Sequence, residues 1–324
     1  MTRTPVPHRL TNALWTLAVP LVLAGTAVAL VLSWRDRLPD PVAVHWGPDG
    51  VDGVGGLTEL VLPLAIAVPV LAVGMWALGH FLGRAGLTRR LAAASAVWTG
   101  AYVSGVTLTT AAVQLDRADA SQAGSLGVGM TVSLVAACAL ALLAGRLTPG
   151  DRPQPASTPV PAGAARLPLG TDERASWVRS AGQGGTWVIV AFVAVTVALL
   201  GWATRSWVFP VAFALFLGLL IVGFTQWTVS VDARGLTAVG RLGWPRQHVP
   251  LDEVESASVR EIHPVREFGG WGLRTSVKDG ATGVVLRSGP GIEVQRTGGR
   301  RFVVTVDDAE TGAALLNTLA ARSR

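Results

Sequence analysis

Cysteine, lysine and charge are all scarce in this chain. Cys138 is the single cysteine, so an intrachain disulfide, a Cys-based zinc site and an iron–sulfur site are excluded. Lysine occurs once against 26 arginines, which partly accounts for the high sequence pI of 11.0. Charged residues make up 15% of the 324, where a soluble domain carries about 25%. The deficit is uneven. Residues 1–228 hold 24 charged side chains, 14 basic and 10 acidic, and residues 229–324 hold another 24, 13 basic and 11 acidic, in fewer than half as many positions. The first part therefore reads as membrane-embedded and the last as a soluble domain. The centres of the apolar stretches lack Asp, Glu, Lys and Arg, the residues on which intramembrane proton relays and ion paths depend. A nucleotide-phosphate loop, a nucleophile elbow and a zincin motif are also missing. The expectation is a non-enzymatic protein with no cofactor, no metal and no nucleic-acid partner; a net charge of +6 spread over a membrane protein gives no argument for one.

Long apolar runs are what the chain does have. Six, near 13–33, 60–82, 91–115, 126–145, 187–203 and 207–228, are candidates to cross a bilayer, which takes roughly 20 helical residues. The fifth is the shortest. The first follows a basic start, "MTRTPVPHR", but is longer than the roughly 7–15 apolar residues of a signal peptide. Arginine is retained on the cytoplasmic side. With the N-terminus inside, the short inside segments carry ten basic residues: Arg3 and Arg9; Arg84, Arg89 and Arg90; Arg146, Arg152, Arg166, Arg174 and Arg179. The outside segments carry four: Arg35, Arg37, Arg117 and Arg205. Both ends then lie in the cytoplasm of a plasma-membrane protein. Trp15 and Trp34, Trp187 and Trp202, and Trp207 and Trp227 bracket three of the runs, as the interfacial preference of Trp requires. Trp76 and Trp98 read as packing between helices.

Four parts follow: a four-helix membrane domain (1–147), a linker (148–184), a two-helix hairpin (185–228) and a cytoplasmic domain (229–324). Most of the segment "RLTPGDRPQPASTPVPAGAARLPLG" (146–170) falls in the linker; it holds six of the 19 prolines and lacks a helical or strand period, and it reads as extended and flexible. Beyond Trp227 short alternating runs are broken by turns. "WTVSVDARGLTAVGRLGWPRQHVPL" offers three strands, "VESASVREI" a fourth, and "TGVVLRSG", "GIEVQRTGG" and "RRFVVTVDD" three more. Asp307 with Glu310 suggests a capping box on a final helix, whose Ala313, Leu316 and Ala320 share one face and would cover the open end of a small barrel. The expected class is α+β: six membrane helices, then a pleckstrin-homology-like β-barrel of about seven strands with a C-terminal helix.

Between the first two spans lies "LPDPVAVHWGPDGVDGVGG". His45 with Asp49 and Asp52 is too few ligands for zinc, and "DGVDG" lacks the oxygen ladder of a calcium loop. "GPDG" reads as a tight turn in which Pro48 sets φ and Gly50 accepts positive φ. His45, Trp46, Asp49 and Gly50 are candidates for recognising an extracellular peptide or a headgroup, beside structural Pro39, Pro41, Pro48 and Gly53. In the third span Ser95, Thr99, Tyr102 and Thr109 share a face, as helix–helix contacts or a substrate path. In the tail, Arg266 and Arg274 of "REFGGWGLR" and Arg300 and Arg301 of "RTGGRR" are candidate anion or lipid contacts, or parts of ordinary hairpin turns.

Two resemblances follow from these motifs. "VSVDARGL", "VPLDEVESASV", "FGGWGLR", "GIEV" and "RRFVVTV" resemble the bacterial pleckstrin-homology-like domains that follow a pair of membrane helices, over roughly 185–324. The stretch 38–56 after a first membrane helix is similar to the N-terminal domain of unknown function in membrane proteins related to the Sdp-type toxin-immunity protein; Pro39, Pro41, His45, Gly50 and Gly53 stand at that family's positions. The family often has an aromatic residue and then a polar one after the His, whereas here Trp46 is followed by Gly47 and Pro48. The resemblances imply regulation, sensing or immunity by binding a membrane-active or cell-envelope factor, with a cytoplasmic protein or anionic lipid meeting the tail. A transporter or transporter subunit, and a scaffold recruiting a cytoplasmic partner, are the alternatives. The charge tally makes a direct prediction: a cysteine at Asp49 reacts with an impermeant thiol reagent in intact cells and one at Asp279 does not. The reverse pattern would refute the orientation.

Overall fold

The computed structural model describes residues 6–170, 172–182, 186–204 and 207–324. Arg3 and Arg205 of the charge tally, and the expected boundary at 184–185, lie outside the described residues. The chain divides into two compact units, Val6–Gly150 with Val190–Leu217, and Asp151–Ile189 with Gly218–Arg324.

The first unit is helical: α1 (Arg9–Ser33), α2 (Leu57–Leu82), α3 (Gly86–Ala112) and α4 (Gly127–Leu147), with most of α5 (Thr186–Thr204) and the start of α6 (Val208–Thr225). All but α5 make up five helices long and apolar enough to cross a membrane, while the apolar stretch of α5, Trp187–Trp202, is shorter. Five of the six expected spans therefore meet the length, and the exception is the run that was shortest in sequence. Val22, Ile66, Val132 and Leu142 are all more than half exposed on the outside of these helices. Exposed apolar side chains on several such helices suit a multi-pass membrane protein.

Helix α3 packs against α1, α2 and α4. In lipid the hydrophobic effect does not drive helices together, so close packing through small residues must. A Cβ on Gly100 would lie 2.7 Å from the Pro20 Cβ, one on Gly105 2.6 Å from the Ser133 Oγ, and one on Gly129 2.2 Å from the Thr109 Cγ2. The hydroxyl face of α3 is used accordingly. Thr109 lies in the α3–α4 seam, and Thr99 donates to the carbonyl of Ser95 one turn back. Tyr102 stacks on Trp98, which in turn stacks on Phe216 of α6. Arg89, assigned to a cytoplasmic loop by the tally, is 1% exposed. Its guanidinium donates to the carbonyls of Gly83, Arg84, Pro149 and Gly150 at 2.7–3.1 Å, at the C-terminal ends of α2 and α4. Those carbonyls lie just past the last helical residues, Leu82 and Leu147, at helix ends where a cation is favoured.

Among the described residues the second unit holds nine strands in two sheets. One has the order β3 (Trp177–Gly182), β4 (Gln226–Asp232), β5 (Gly235–Gly240), β6 (Arg246–Pro250). The other has the order β7 (Val254–Ile262), β10 (Gly289–Arg296), β11 (Arg300–Thr305), β9 (Thr282–Val285), β8 (Gly272–Thr275), with a short helix α7 (Pro264–Phe268) after β7. Neither sheet closes, which corrects the expected barrel. Two strands exceed the expected seven: β8, at the end of "FGGWGLR", and β3, inside the expected linker. The β9–β11 pair is parallel and the other pairs are antiparallel.

The C-terminal helix α8 (Ala309–Arg322) is no lid. It contacts strands of both sheets and is buried from Gly312 to Ala320. At Gly312 the two sheets converge, since a Cβ there would lie 2.7 Å from Ile292 and 3.1 Å from Trp177. Ala313, Leu316 and Ala320 are buried as the apolar face requires. The cap differs from the expected box: Asp307 pairs with Arg287 at 2.5 Å, the N-cap is Asp308 at φ 55°, and its carboxylate accepts from Trp177 Nε1 and Arg179. Trp227, placed at a membrane interface from sequence, is 2% exposed, because α6 ends at Thr225 and β4 begins at Gln226.

The proline-rich stretch is extended, and it is tied down. Ala156 N–H donates to the Asp252 carbonyl, Leu167 N–H to Thr318 Oγ1, and Arg322 to the carbonyls of Leu169, Gly170 and Glu173. Asn317, fully buried, accepts from Ala257 N–H at 2.8 Å and donates to the carbonyls of Ala257 and Ala165 at 2.8 and 3.0 Å. Asn317→Leu leaves three peptide groups without partners, at about 1–3 kcal/mol for each that water cannot reach. We expect a lowered thermal midpoint for the full chain in detergent; an unchanged midpoint would show that water replaces the amide.

Candidate functional site

The residues 42–55 between α1 and α2 form a hairpin of β1 (Val42–Gly47) and β2 (Gly50–Gly55), turning at Pro48–Asp49. Gly50 has φ 113°, a region that side-chain-bearing residues rarely adopt. Pro39 is buried, and Pro41 is exposed and follows a cis peptide bond.

A two-stranded hairpin is marginal by itself in water, so docking must hold it. Val42 joins Val31, Leu60 and Ala111 in a buried cluster, with Val44 packed against it. Gln114, fully buried just past α3, takes the N–H of Ala43 on its Oε1 at 2.8 Å and donates from Nε2 to the Ala43 carbonyl at 3.1 Å. Trp46 Nε1 donates to the Gly124 carbonyl at 3.2 Å. Outside the membrane-spanning stretches, Arg37 grips both carboxylate oxygens of Asp116 at 2.9 and 2.6 Å, while Asp116 N–H donates to the Arg37 carbonyl. The hydrogen bonds from Arg37 hold the Asp116 carboxyl below the ordinary carboxylate range and raise the guanidinium pKa. The pair is exposed, so its stabilisation is small.

One polar pair faces away from these anchors. His45 Nδ1 lies 2.5 Å from Asp52 Oδ1, with 72% and 52% of their side chains exposed. Two irregularities in the ladder aim it. Ala43 pairs with Val54 and His45 with Gly53, skipping Val44; Trp46 pairs with Val51, skipping Asp52. Such bulges redirect side chains. The glycines make the space: a Cβ on Gly47 would lie 2.2 Å from Asp52 Oδ2, and one on Gly53 2.7 Å from the His45 Cβ. The unusual glycine content of "WGPDGVDGVGG" thus serves both the turn and the seat of this pair.

The hairpin brings His45, Trp46, Asp49, Gly50, Pro48 and Gly53 together, with divided roles. Trp46 is an anchor, while His45, Asp49 and Asp52 are presented outward. Sequence reading missed Arg37, Gln114 and Asp116; the signal available was the polar "QLDR" that ends the third apolar run. Among the described residues no group of three or more His, Cys, Asp and Glu side chains gathers in metal-binding proximity.

The four tail arginines do not form one site. Arg300 is buried, 3.0 Å from Glu253 and 3.2 Å from Asp151, and Arg296 shares the same Glu253 oxygen at 2.5 Å. Arg301 pairs with Asp279 and Glu293. Both guanidiniums are engaged by carboxylates of the same unit. Arg266 and Arg274 are exposed, and Arg274 Nε donates to the Trp271 carbonyl.

A comparison of the chain with protein-family models, with curated proteins and with solved structures finds no match.

Two kinds of variant separate the seat of the pair from the dock of the hairpin. Gly47→Ala and Gly53→Ala displace Asp52 and His45 while the anchors stay, so the thermal midpoint changes little and protease sensitivity at 42–55 stays low. Gln114→Ala strands the Ala43 peptide at about 1–3 kcal/mol per group, and limited proteolysis in detergent should cut the hairpin faster. Equal cutting in all three variants would refute this division.

Proposed function

We propose that this chain is a plasma-membrane protein of six spans with both ends in the cytoplasm, and that its outward hairpin recognises a peptide or other membrane-active factor of the cell envelope. In this reading it acts by binding, as a sensor or immunity-type protein, and catalyses no reaction. The observation that carries it is the arrangement of 42–55. A hairpin seated by Val42, Trp46 and Gln114 projects His45 and Asp52 into solvent as a preorganised polar pair. A connector needs neither the two bulges nor the glycines cleared beneath the pair, and preorganised groups spare a ligand the cost of ordering them. The likeness to the Sdp-type immunity family in 38–56 supports the same role. Of the α3 hydroxyls, Thr109 packs against Gly129 of α4 and Thr99 bonds back to the Ser95 carbonyl of its own helix, which supports binding over transport. The β unit is proposed as the pleckstrin-homology-like cytoplasmic part, where a protein partner is recruited. The short α5 serves as the sixth span by thinning the bilayer locally around it.

The test is a challenge of cells with a panel of membrane-active peptides. Cells carrying the protein should survive at least one peptide better than cells without it. His45→Ala and Asp52→Ala should abolish that difference at normal protein abundance, whereas Trp46→Ala and Gly50→Val should lower abundance itself. Full protection by both His45→Ala and Asp52→Ala would remove the pair from any recognition role.

A further inference from the structure

The β5–β6 turn, "GRLGWPR" at 240–246, carries an observation that the outer hairpin does not explain. Its tip is apolar and exposed: Leu242 is 53% and Trp244 57% accessible. Arg241 and Arg246 flank it and are also exposed. No acidic residue occurs between Asp232 and Asp252, so the turn and its strands are purely basic in charge.

The position of the turn along α6 says what such a tip meets. Gly218–Thr225, the last turns of α6, belong to the same compact unit as the turn, and β4 starts at Gln226 with no intervening loop. The Trp244 ring stands edge-on to Phe224, centroids 6.0 Å apart. A Cβ on Gly240 would lie 2.5 Å from the Gly223 carbonyl oxygen, so the turn is pressed onto the helix end. Internal hydrogen bonds stiffen it: Gly240 N–H to the Pro245 carbonyl, and Gly243 N–H to the Gly240 carbonyl. Arg241 N–H and guanidinium both bond Gln226, the first residue after the helix. Beside it opens a cleft of about 500 Å³ whose lining includes Ser180, Gln226, Thr228 and Arg241, hydroxyls, an amide and a guanidinium suited to a phosphodiester.

We propose that the β5–β6 turn is a membrane anchor for anionic phospholipid. Leu242 and Trp244 enter the boundary between headgroups and acyl chains, and Arg241 and Arg246 hold the phosphate groups of the same leaflet. Trp favours that depth because its ring is apolar and its N–H polar, and arginine near an anionic leaflet is attracted to it. The β4–β5–β6 ladder then lies where α6 leaves the bilayer and is held at two points instead of one. This inference rests on the reading of α6 as a span, and the experiment tests the two separately.

Full-length protein with Cys138→Ser carries one nitroxide at a time, at Leu242→Cys, Leu215→Cys or Val277→Cys, in bilayers of phosphatidylcholine with phosphatidylglycerol. Leu215 is exposed within α6 and Val277 is exposed in the β unit. Collision with oxygen should exceed collision with a water-soluble nickel chelate at Leu215 and, less strongly, at Leu242, and the reverse should hold at Val277. Nickel access at Leu242 equal to that at Val277, with Leu215 still protected, overturns the anchor and leaves the span. Nickel access at Leu215 overturns the span itself. The double variant Arg241→Gln, Arg246→Gln should lose several-fold of the phosphatidylglycerol enrichment among lipids retained on the purified protein, with unchanged circular dichroism. Unchanged enrichment overturns the headgroup contact.

Discussion

A peptide group shut away from water must find a hydrogen-bond partner, and in this protein single side chains reaching across to another element meet that demand. Gln114 does so for Ala43, and the 42–55 hairpin stays where it is because of it. If the Gln114 amide were withdrawn, the Ala43 N–H and carbonyl would have to reach water, and Val42 would leave the cluster it shares with Val31 and Leu60. The orientation of His45 and Asp52 depends in turn on that docking. Asn317 holds β7 to α8 in the same manner, through the N–H and carbonyl of Ala257.

Arg89 meets the same demand with a charge. A guanidinium offers five donors in a rigid fork, and here four backbone carbonyls just past two helix ends take the four on Nη1 and Nη2. The role suits arginine and not lysine, whose three donors cannot spread over two chain segments in one plane. Much of the arginine excess is structural in this sense. Arg300 and Arg296 close over Glu253, Arg301 binds Asp279, and Arg260 binds Glu267. In the buried Glu253 group, removing one partner costs more than the pair contributes, because the other is left charged without compensation.

The helices were legible because membrane residence imposes a composition that runs for some twenty residues and cannot be mistaken over that length. The turn at Pro48–Asp49–Gly50 was legible because its geometry is local, set by the φ of one proline and one glycine. The seat of His45 and Asp52 was not, because a bulge is a relation between two strands and leaves no mark on either. Arg300 and Arg301 look like any basic hairpin turn; whether a carboxylate such as Glu253, far away in sequence, closes on them is decided by the fold. Asp307 and Glu310 have the spacing of a capping box, yet Arg287 takes Asp307 and the helix starts one residue later.

By itself the amino-acid order determined the apolar helices, the tight turn, the strand-rich tail and the apolar face of the last helix, since each follows from the local period or from the conformational limits of a few residues. Only the tertiary structure decided that the tail forms two open sheets around α8 instead of a barrel, that the expected linker contributes β3 while its proline-rich part binds along α8, and that the hairpin is docked through Gln114. The physical reason is common to all three. Each depends on which buried peptide groups and apolar surfaces remain unmatched after local structure has formed, and these are matched by residues up to about 150 positions away, as Leu167 is by Thr318.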